Sequence, residues 1–342
     1  MTGSAPPSSN LLALLDGYRA LQVLYVAAQL GIADSLKDGP KSSIELAHAS
    51  GAHAQSLHRL LRALASLAVV EENADGTFSL TPLGEQLRSD VPGSLRPAFL
   101  FYGGRRHWTA WGQLLDSITS GKAAFANQSP GLFFEMATRN PEGARIFNDA
   151  MAALSAVVSE SVITAYDFSG CGRLVDVGGG YGALLISVLL ANPRLRGVLF
   201  DIAPVVEGAR ARIEAAGLTE RCALVAGNAF ETVPTGGDVY LLKWVLHDWS
   251  DEMCARILTN CRAAMGDDGT LLLVERVVPQ RVTPSPQVAN TLLSDLNMLL
   301  LSGGRERTEE EYRQLLATAG FDLRRVVQTT TPQCIIEARP CR

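Results

Sequence analysis

Three side chains suited to proton transfer stand where the chain is expected to leave one edge of a sheet. The run Leu241-Leu-Lys-Trp-Val-Leu-His247-Asp248-Trp249-Ser250 begins as a strand, so His247 falls at its carboxyl end, ahead of a helix starting near Ser250. Leu273-Val-Glu275 ends a second strand at that edge, and Glu306 lies in the loop Gly303-Gly-Arg-Glu-Arg-Thr308. An imidazole changes charge near neutral pH and so can take up and release a proton there. A carboxylate on either side fixes its tautomer and raises its basicity. Other readings stay open: Glu275 can pair with Arg276 or Arg305 on the surface, and Glu306 suits the first turn of a helix, where the dipole favours an acid. Asp248 either caps the following helix or touches a substrate.

A ligand for the same edge is written in Arg173-Leu-Val-Asp-Val-Gly-Gly-Gly-Tyr-Gly182 and Gly197-Val-Leu-Phe-Asp201. Leu174 to Val177 reads as a buried strand, the glycines as a tight turn, Ala183 to Leu190 as a helix, and Asp201 as the acid ending the next strand. That succession is the nucleotide-binding half of a doubly wound α/β sheet. Gly178, Gly180 and Ala183 would also satisfy a dinucleotide pattern, so charge has to discriminate. Asp176 sits two residues before Gly178, where a pyrophosphate gains nothing from a carboxylate. S-adenosylmethionine (SAM) has no phosphate and brings a sulfonium and an ammonium, and Asp201 can accept from both ribose hydroxyls. The bland alternative for Asp176 is a strand-end acid capping a backbone N–H.

These residues need a scaffold that sets them on one edge. From Arg173 onward strands are expected near 173–178, 197–201, 222–227, 238–245 and 269–277, alternating with helices near 182–191, 204–216, 251–265, 287–301 and 308–319. An antiparallel pair from Asp322 to Ala338, around Thr331-Pro332, closes an α/β sheet. Upstream, Ser42-Ser-Ile-Glu45 is a capping-box signature. A helix from about Ala54 to Ala68 carries Leu57, Leu60, Leu61, Leu64 and Leu67 on one face. Asp75-Gly76 marks a hairpin between Val69-Val-Glu-Glu and Thr77-Phe-Ser-Leu. Two helices and a hairpin have a winged-helix shape, which raises a rival function, a DNA-binding regulator sensing a small molecule. His58, Arg59 and Arg62 are a thin phosphate footprint for it. Pro92 to Tyr166 reads as helical, and some of Phe99, Phe101, Tyr102, Trp108, Trp111, Phe133, Phe134, Met136, Phe147 and Met151 are expected to line a pocket for a flat apolar ligand.

At 342 residues, 47% hydrophobic and 19% charged, the chain is globular and long enough for two domains. A net charge of -5 offers no basic field to recruit nucleic acid. The six cysteines show no CxxC spacing and fit reduced thiols in a cytoplasm, and the histidines form no HExxH, so no metal is expected. Residues 1–10, rich in Pro and Ser, are expected to be disordered. Asp16, Arg19, Gln22 and Gln29 interrupt Leu11 to Ile32, which reads as an amphipathic helix rather than a targeting or membrane segment.

The set LVDVGGGYG, FD, KWVLHDWSD and GGRERTEEEY resembles, over nearly the whole chain, the plant caffeate/hydroxyindole type of SAM-dependent O-methyltransferase and its bacterial natural-product relatives. The resemblance implies a class I SAM-methyltransferase Rossmann-like sheet with an N-terminal all-helical/winged-helix dimerisation domain: 11–92 for dimerisation, 93–168 for connecting helices around the substrate, 169–342 for catalysis. It implies a homodimer acting on a small hydroxylated aromatic, with SAM and neither metal, membrane nor nucleic acid. Carried over by position, His247 is the general base with Glu275 and Glu306 flanking it. Asp176, Gly178, Gly180, Asp201, Ile202 and Lys243 lie at the cofactor, and Met151 and Ser155 close over it from the middle helices. Two departures stand out. The family's Gly-Asp-Met/Phe-Phe is Gly227-Asn228-Ala229-Phe230 here, which keeps an acceptor for the adenine amino group but loses a charge and a stacking side chain. Leu154 replaces a polar pocket residue of the plant enzymes. Within the same fold, nitrogen or carbon acceptors and non-methylating SAM chemistry are the alternatives.

Overall fold

The computed structural model describes residues 11–124 and 140–341. Residues 1–10, and with them the expected disorder, lie outside the described residues, as do Phe133, Phe134 and Met136. By its internal contacts the chain forms two compact units, Met1–Trp108 and Thr109–Arg342.

In the first unit, helices Asp16–Gln29, Ile32–Leu36, Ser43–Ser50 and Ala54–Ser66 pack with three short strands, β1 (Lys41–Ser42), β2 (Val70–Glu72) and β3 (Thr77–Leu80). The expected capping box forms: Ser42 accepts from the Glu45 N–H while Glu45 accepts from the Ser42 N–H, and Gly51 ends the helix in a left-handed conformation. The expected hairpin is β2–β3, and β1 adds to its other side in the order β1-β3-β2. Leu57, Leu61 and Leu64 are buried with Ile32, Leu46 and Phe78, whereas Leu67 lies beyond the helix end and is exposed. The segment from Leu11 is not one helix to Ile32, because Gly31 breaks it at φ 63°. Of the helix Asp16–Gln29 only Ala27 and Ala28 are buried, and Leu11, Leu12, Leu14 and Leu15 stand in the open.

The second unit is a doubly wound sheet, as expected. Its strands are β4 (Arg173–Val177), β5 (Arg196–Asp201), β6 (Cys222–Ala226), β7 (Val239–Lys243), β8 (Thr270–Val278), β9 (Arg307–Thr308), β10 (Phe321–Gln328) and β11 (Gln333–Pro340). They run in the order β10-β11-β8-β7-β4-β5-β6, with β9 beside the end of β8. The β8-β7-β4-β5-β6 set is parallel, and β11 is antiparallel to both β8 and β10. Strands covered on both faces read as unbroken apolar runs. In β8, Leu271 and Leu273 enter one core with helices Asp251–Ala264 and Glu309–Thr318. Leu272 and Val274 enter the other, with helices Pro141–Ala165, Ala183–Ala191 and Ala203–Ala215. Pro141–Ala165 and the stretch Leu11–Gln29 both have the length and hydropathy of a membrane span; the former buries Val158 and Val162 in this core.

The winding places the ligand edge. The chain runs outward through β4, β5 and β6, then returns to lay β7 on the other side of β4. Ligands of such sheets bind at the carboxyl ends where the order reverses. The loop after β4 is the glycine turn and the loop after β7 carries His247. The two touch: a Cβ on Gly178 would come within 2.9 Å of the Val245 side chain.

Candidate active site

After β7 the backbone turns abruptly. Trp244 has φ 57°, a left-handed conformation uncommon for a bulky residue, and Leu246–Asp248 forms a single 3₁₀ turn. That turn sets His247, buried at 7% exposure, against two acids. Its Nδ1 lies 3.2 Å from Glu275 Oε2 and 3.4 Å from Glu306 Oε1. Neither contact is aligned as a hydrogen bond, and among the described residues no group donates a hydrogen bond to Glu275 Oε2 or Glu306 Oε2. The attraction is therefore electrostatic, one ring edge shared between two buried acids.

Both acids are held independently of the imidazole. The strand expected to end at Glu275 runs on to Val278; Glu275, wholly buried within it, accepts with Oε1 from the N–H groups of Val245 (3.0 Å) and Leu246 (2.9 Å). Glu306 Oε1 accepts from the Ser294 hydroxyl at 2.8 Å and lies 3.6 Å from Arg276 Nη1. The Glu306 N–H donates to Asp295 at 2.8 Å. The surface pairings open to Glu275 from sequence are thus not adopted.

The charges follow. Burial pulls the His247 imidazole down, but Glu275 and Glu306, with Asp248 behind them, outweigh it and lift the ring to about 9. Burial pushes Glu275 above the usual carboxylate range against the pull of His247. Glu306 is also pushed up by burial, yet His247, Arg276 and Ser294 together hold it below that range. An Nδ1–H facing the acids leaves Nε2 as the basic atom of the neutral ring.

The cofactor-side residues cluster at β4 and β5. Gly180 has φ 59° with open space where a Cβ would stand, and its N–H donates to Asp201 Oδ2 at 2.9 Å. Asp201 Oδ1 accepts from the Ile202 N–H at 2.7 Å. Asp176 is buried beneath the turn, so close that a Cβ on Gly179 would lie 2.7 Å from its carboxylate. Burial pushes the Asp176 carboxyl up to about 7, opposed by Lys243 and aided by Asp201. Lys243, its Nζ 3.9 Å from the centroid of the Trp244 ring, is lowered by burial to about 8 against the pull of Asp176 and Glu275. Ammonium over indole is a favourable pairing.

Other expected residues are placed differently. Asn228 turns its amide to its own loop, Oδ1 accepting from the Phe230 N–H and Nδ2 donating to Glu231, both at 3.0 Å. The carbonyl of Ala229 accepts from Asn260 at 2.8 Å, and Phe230 meets Trp249 edge-on at 4.8 Å. Ser155 is buried with its hydroxyl given to the Met151 carbonyl, one turn back in its own helix. Met151 is half-buried on that helix. Sequence reasoning assigned no part to Arg307, Ser294 or Asp295, and it offered Arg276 to Glu275, whereas the structure sets it beside Glu306. Only Arg307 carried a signal, as a member of the GGRERT run.

Against this geometry the comparisons are decisive. An O-methyltransferase domain model matches residues 111–322 and an O-methyltransferase dimerisation domain model matches residues 12–90. The chain belongs to the O-methyltransferase family. It is 43% identical over 338 residues to a phenazine O-methyltransferase of Lysobacter antibioticus, covering 99% of this chain and 98% of that one. It is 35% identical to a phenazine-1-carboxylate N-methyltransferase of Pseudomonas aeruginosa, covering 93% of each. The crystal structure of human N-acetylserotonin methyltransferase with SAM superposes over all of both chains with a TM-score of 0.89 at 28% identity. The resemblance read from the motifs, the class I fold and the status of the protein as a SAM-dependent methyltransferase all hold.

Proposed function

We propose that the protein methylates a hydroxyl of a small, largely apolar aromatic, with His247 as general base and without a metal. One observation carries the proposal: a buried imidazole stands between Glu275 and Glu306 on the edge that holds the glycine turn. A phenol must lose a proton to become a strong nucleophile, and His247 Nε2 is the atom to take it. Glu275 and Glu306 hold the Nδ1 proton and stabilise the imidazolium that results. The matched relatives include enzymes named for phenazines, and two relatives are named for methylation at nitrogen. An amine attacks through an existing lone pair and needs no buried base beforehand. The intact acid–imidazole–acid cluster therefore favours oxygen.

When bound, SAM supplies an electrophilic methyl group on a sulfonium. The residues present fit it. Asp201, between the Gly180 and Ile202 N–H groups, is placed for ribose hydroxyls, and Asp176 is a buried carboxyl only partly ionised at neutral pH because burial outweighs the pull of Lys243. A cationic ligand lowers such a carboxyl and drives out its proton. SAM binding near pH 7 is thus expected to release protons, read as a binding enthalpy that varies with the ionisation enthalpy of the buffer. In Asp176→Asn that variation should shrink; if it persists unchanged, another group supplies the protons. Gly178 shapes the turn, Lys243 lies behind it, and Met151 and Ser155 bound the site from helix Pro141–Ala165. Asn228, Ala229 and Phe230 form the adenine side, where Asn228 can still accept through its second lone pair.

We also assign a homodimer built through the first unit. The dimerisation-domain match and the open row Leu11, Leu12, Leu14 and Leu15 support it. A cytoplasmic site of action agrees with six free cysteines. The regulator reading weakens because Arg62 is paired with Glu72 at 3.4 Å and His58 packs on Phe78. The test is calorimetric titration with S-adenosylhomocysteine (SAH), then screening of phenols for methyl transfer. Binding near micromolar, about -8 kcal/mol, is expected to weaken by roughly 10²-fold in Asp201→Ala, since hydrogen bonds to a charged group contribute about 1.5–3 kcal/mol. Unaltered binding in that variant removes Asp201 from the site.

A further inference from the structure

The loop that delivers Glu306 also grips the turn that carries His247. The Arg305 N–H donates to the His247 carbonyl at 2.9 Å. Gly304 lies so near that carbonyl that a Cβ would stand 1.9 Å from its oxygen. Two residues on, Arg307 is a charged side chain with no solvent exposure at all. Its guanidinium is fully committed. Nη1 donates to the Leu246 carbonyl at 2.9 Å and Nη2 to the Trp249 carbonyl at 3.0 Å. Nε and Nη2 donate to Asp251 Oδ1 at 3.0 and 2.7 Å. Those two carbonyls bracket His247 and Asp248, and Asp251 opens the helix that follows. A buried cation is costly unless its hydrogen bonds are all made. Each of these bonds ends on the segment carrying the base, with longer 3.5 Å bonds to the Arg305 carbonyl and to Cys254 Sγ beside them, and β9 sets Arg307 opposite Val277 of β8, two residues beyond Glu275.

We infer that Arg307 is a positioning residue for His247: its planar fork ties the carbonyls on both sides of the base to Asp251 and so fixes the 3₁₀ turn that stands the imidazole between Glu275 and Glu306. The inference rests on His247 being the base. A lysine cannot replace the fork, because its single ammonium cannot reach two carbonyls and a carboxylate in one plane. Loosening the turn moves the ring by a fraction of its length, and misplacement on the scale of 1 Å costs about 10²-fold in rate.

The test compares Arg307→Lys, Asp251→Ala, His247→Ala and the Arg307→Lys/His247→Ala double variant, all as the full-length chain. Arg307→Lys is expected to lower kcat by roughly 10²-fold, with acceptor KM and SAH affinity changed by no more than about twofold. Its kcat/KM against pH should break at lower pH than wild type, because the ring escapes its two acids. A residue acting through His247 adds no further loss of kcat once His247 is gone, so the double variant should match His247→Ala. An Arg307→Lys protein that loses heat stability but keeps wild-type kcat and pH profile overturns the inference, as does a double variant clearly slower than His247→Ala. If Arg307→Lys does not fold, the half-exposed Asp251 decides: Asp251→Ala, which removes the oxygen that accepts from Nε and Nη2, should reduce kcat several-fold, and an unaltered kcat overturns the inference. If His247→Ala keeps its turnover, the base assignment itself fails and the inference falls with it. If only His247→Ala is slow, the assignment stands and the role of Arg307 alone is refuted.

Discussion

Replacing His247 by alanine is expected to reduce turnover by roughly 10²–10⁴-fold while leaving SAH affinity within about twofold. The split follows from where the side chain stands. Its Nδ1 faces Glu275 and Glu306, whereas the glycine turn and Asp201 belong to β4 and β5 on the far side of β7. Equilibrium titration with SAH separates the two effects, and unchanged turnover would remove His247 as base. The same assignment fixes a pH dependence. With the ring lifted to about 9, the free enzyme holds imidazolium at neutral pH and the basic form gains population as pH rises towards 9. Hence kcat/KM should climb with pH and level off near 9, provided the acceptor hydroxyl titrates higher. Glu306→Gln removes one of the two carboxylates that raise the ring, so the break should move to lower pH. A break that does not move would mean that Glu306 has no electrostatic hold on the base.

Why some of this was legible and some not can be put in physical terms. A strand buried on both faces must be apolar without interruption, so β4, β5, β7 and β8 stand out from their flanks, and an acid or imidazole at the end of such a run must lie at the sheet edge. That reasoning brings His247 and Glu275 to one edge, the loop Gly303–Thr308 adds Glu306, and the structure sets both acids within 3.4 Å of the imidazole. Short pieces escape it. β1 and β9 have two residues each, too few for any period, and exist because β3 and β8 offer them an edge. The left-handed Trp244 and the 3₁₀ turn after it carry no local signal, since neither glycine nor proline marks them. Burial of Arg307 runs against composition, for arginine belongs at the surface unless long-range partners satisfy it. Those partners lie more than fifty residues away in sequence. Hydrogen bonding inside a loop or helix is equally hidden: nothing in the sequence says that Asn228 turns to its own backbone, or that Ser155 gives its hydroxyl to Met151.

Gly304→Ala is expected to lose most activity through contact alone. The position does not require a left-handed backbone, unlike its neighbour Gly303 at φ 73°. What it requires is space. An added Cβ would lie 1.9 Å from the His247 carbonyl oxygen and 2.7 Å from the Asp248 carbonyl carbon, both main-chain atoms that cannot swing aside. Relief comes only by parting loop 303–308 from the 3₁₀ turn, which breaks the bond from the Arg305 N–H to that carbonyl and draws Glu306 away from the imidazole. Overpacking of this kind costs about 1–3 kcal/mol of stability, and misplacing base and acid together should lower kcat by about 10²-fold or more. Gly303→Ala is the control. Among the described residues it meets only Ala123, at 3.7 Å, and its strain of about 1–2 kcal/mol is conformational and local. Stability should therefore fall in both variants by similar amounts, whereas the large fall in kcat should belong to Gly304→Ala. Equal losses of activity would show that the loop acts as a strut for the domain, and that its approach to the His247 carbonyl has no bearing on the base.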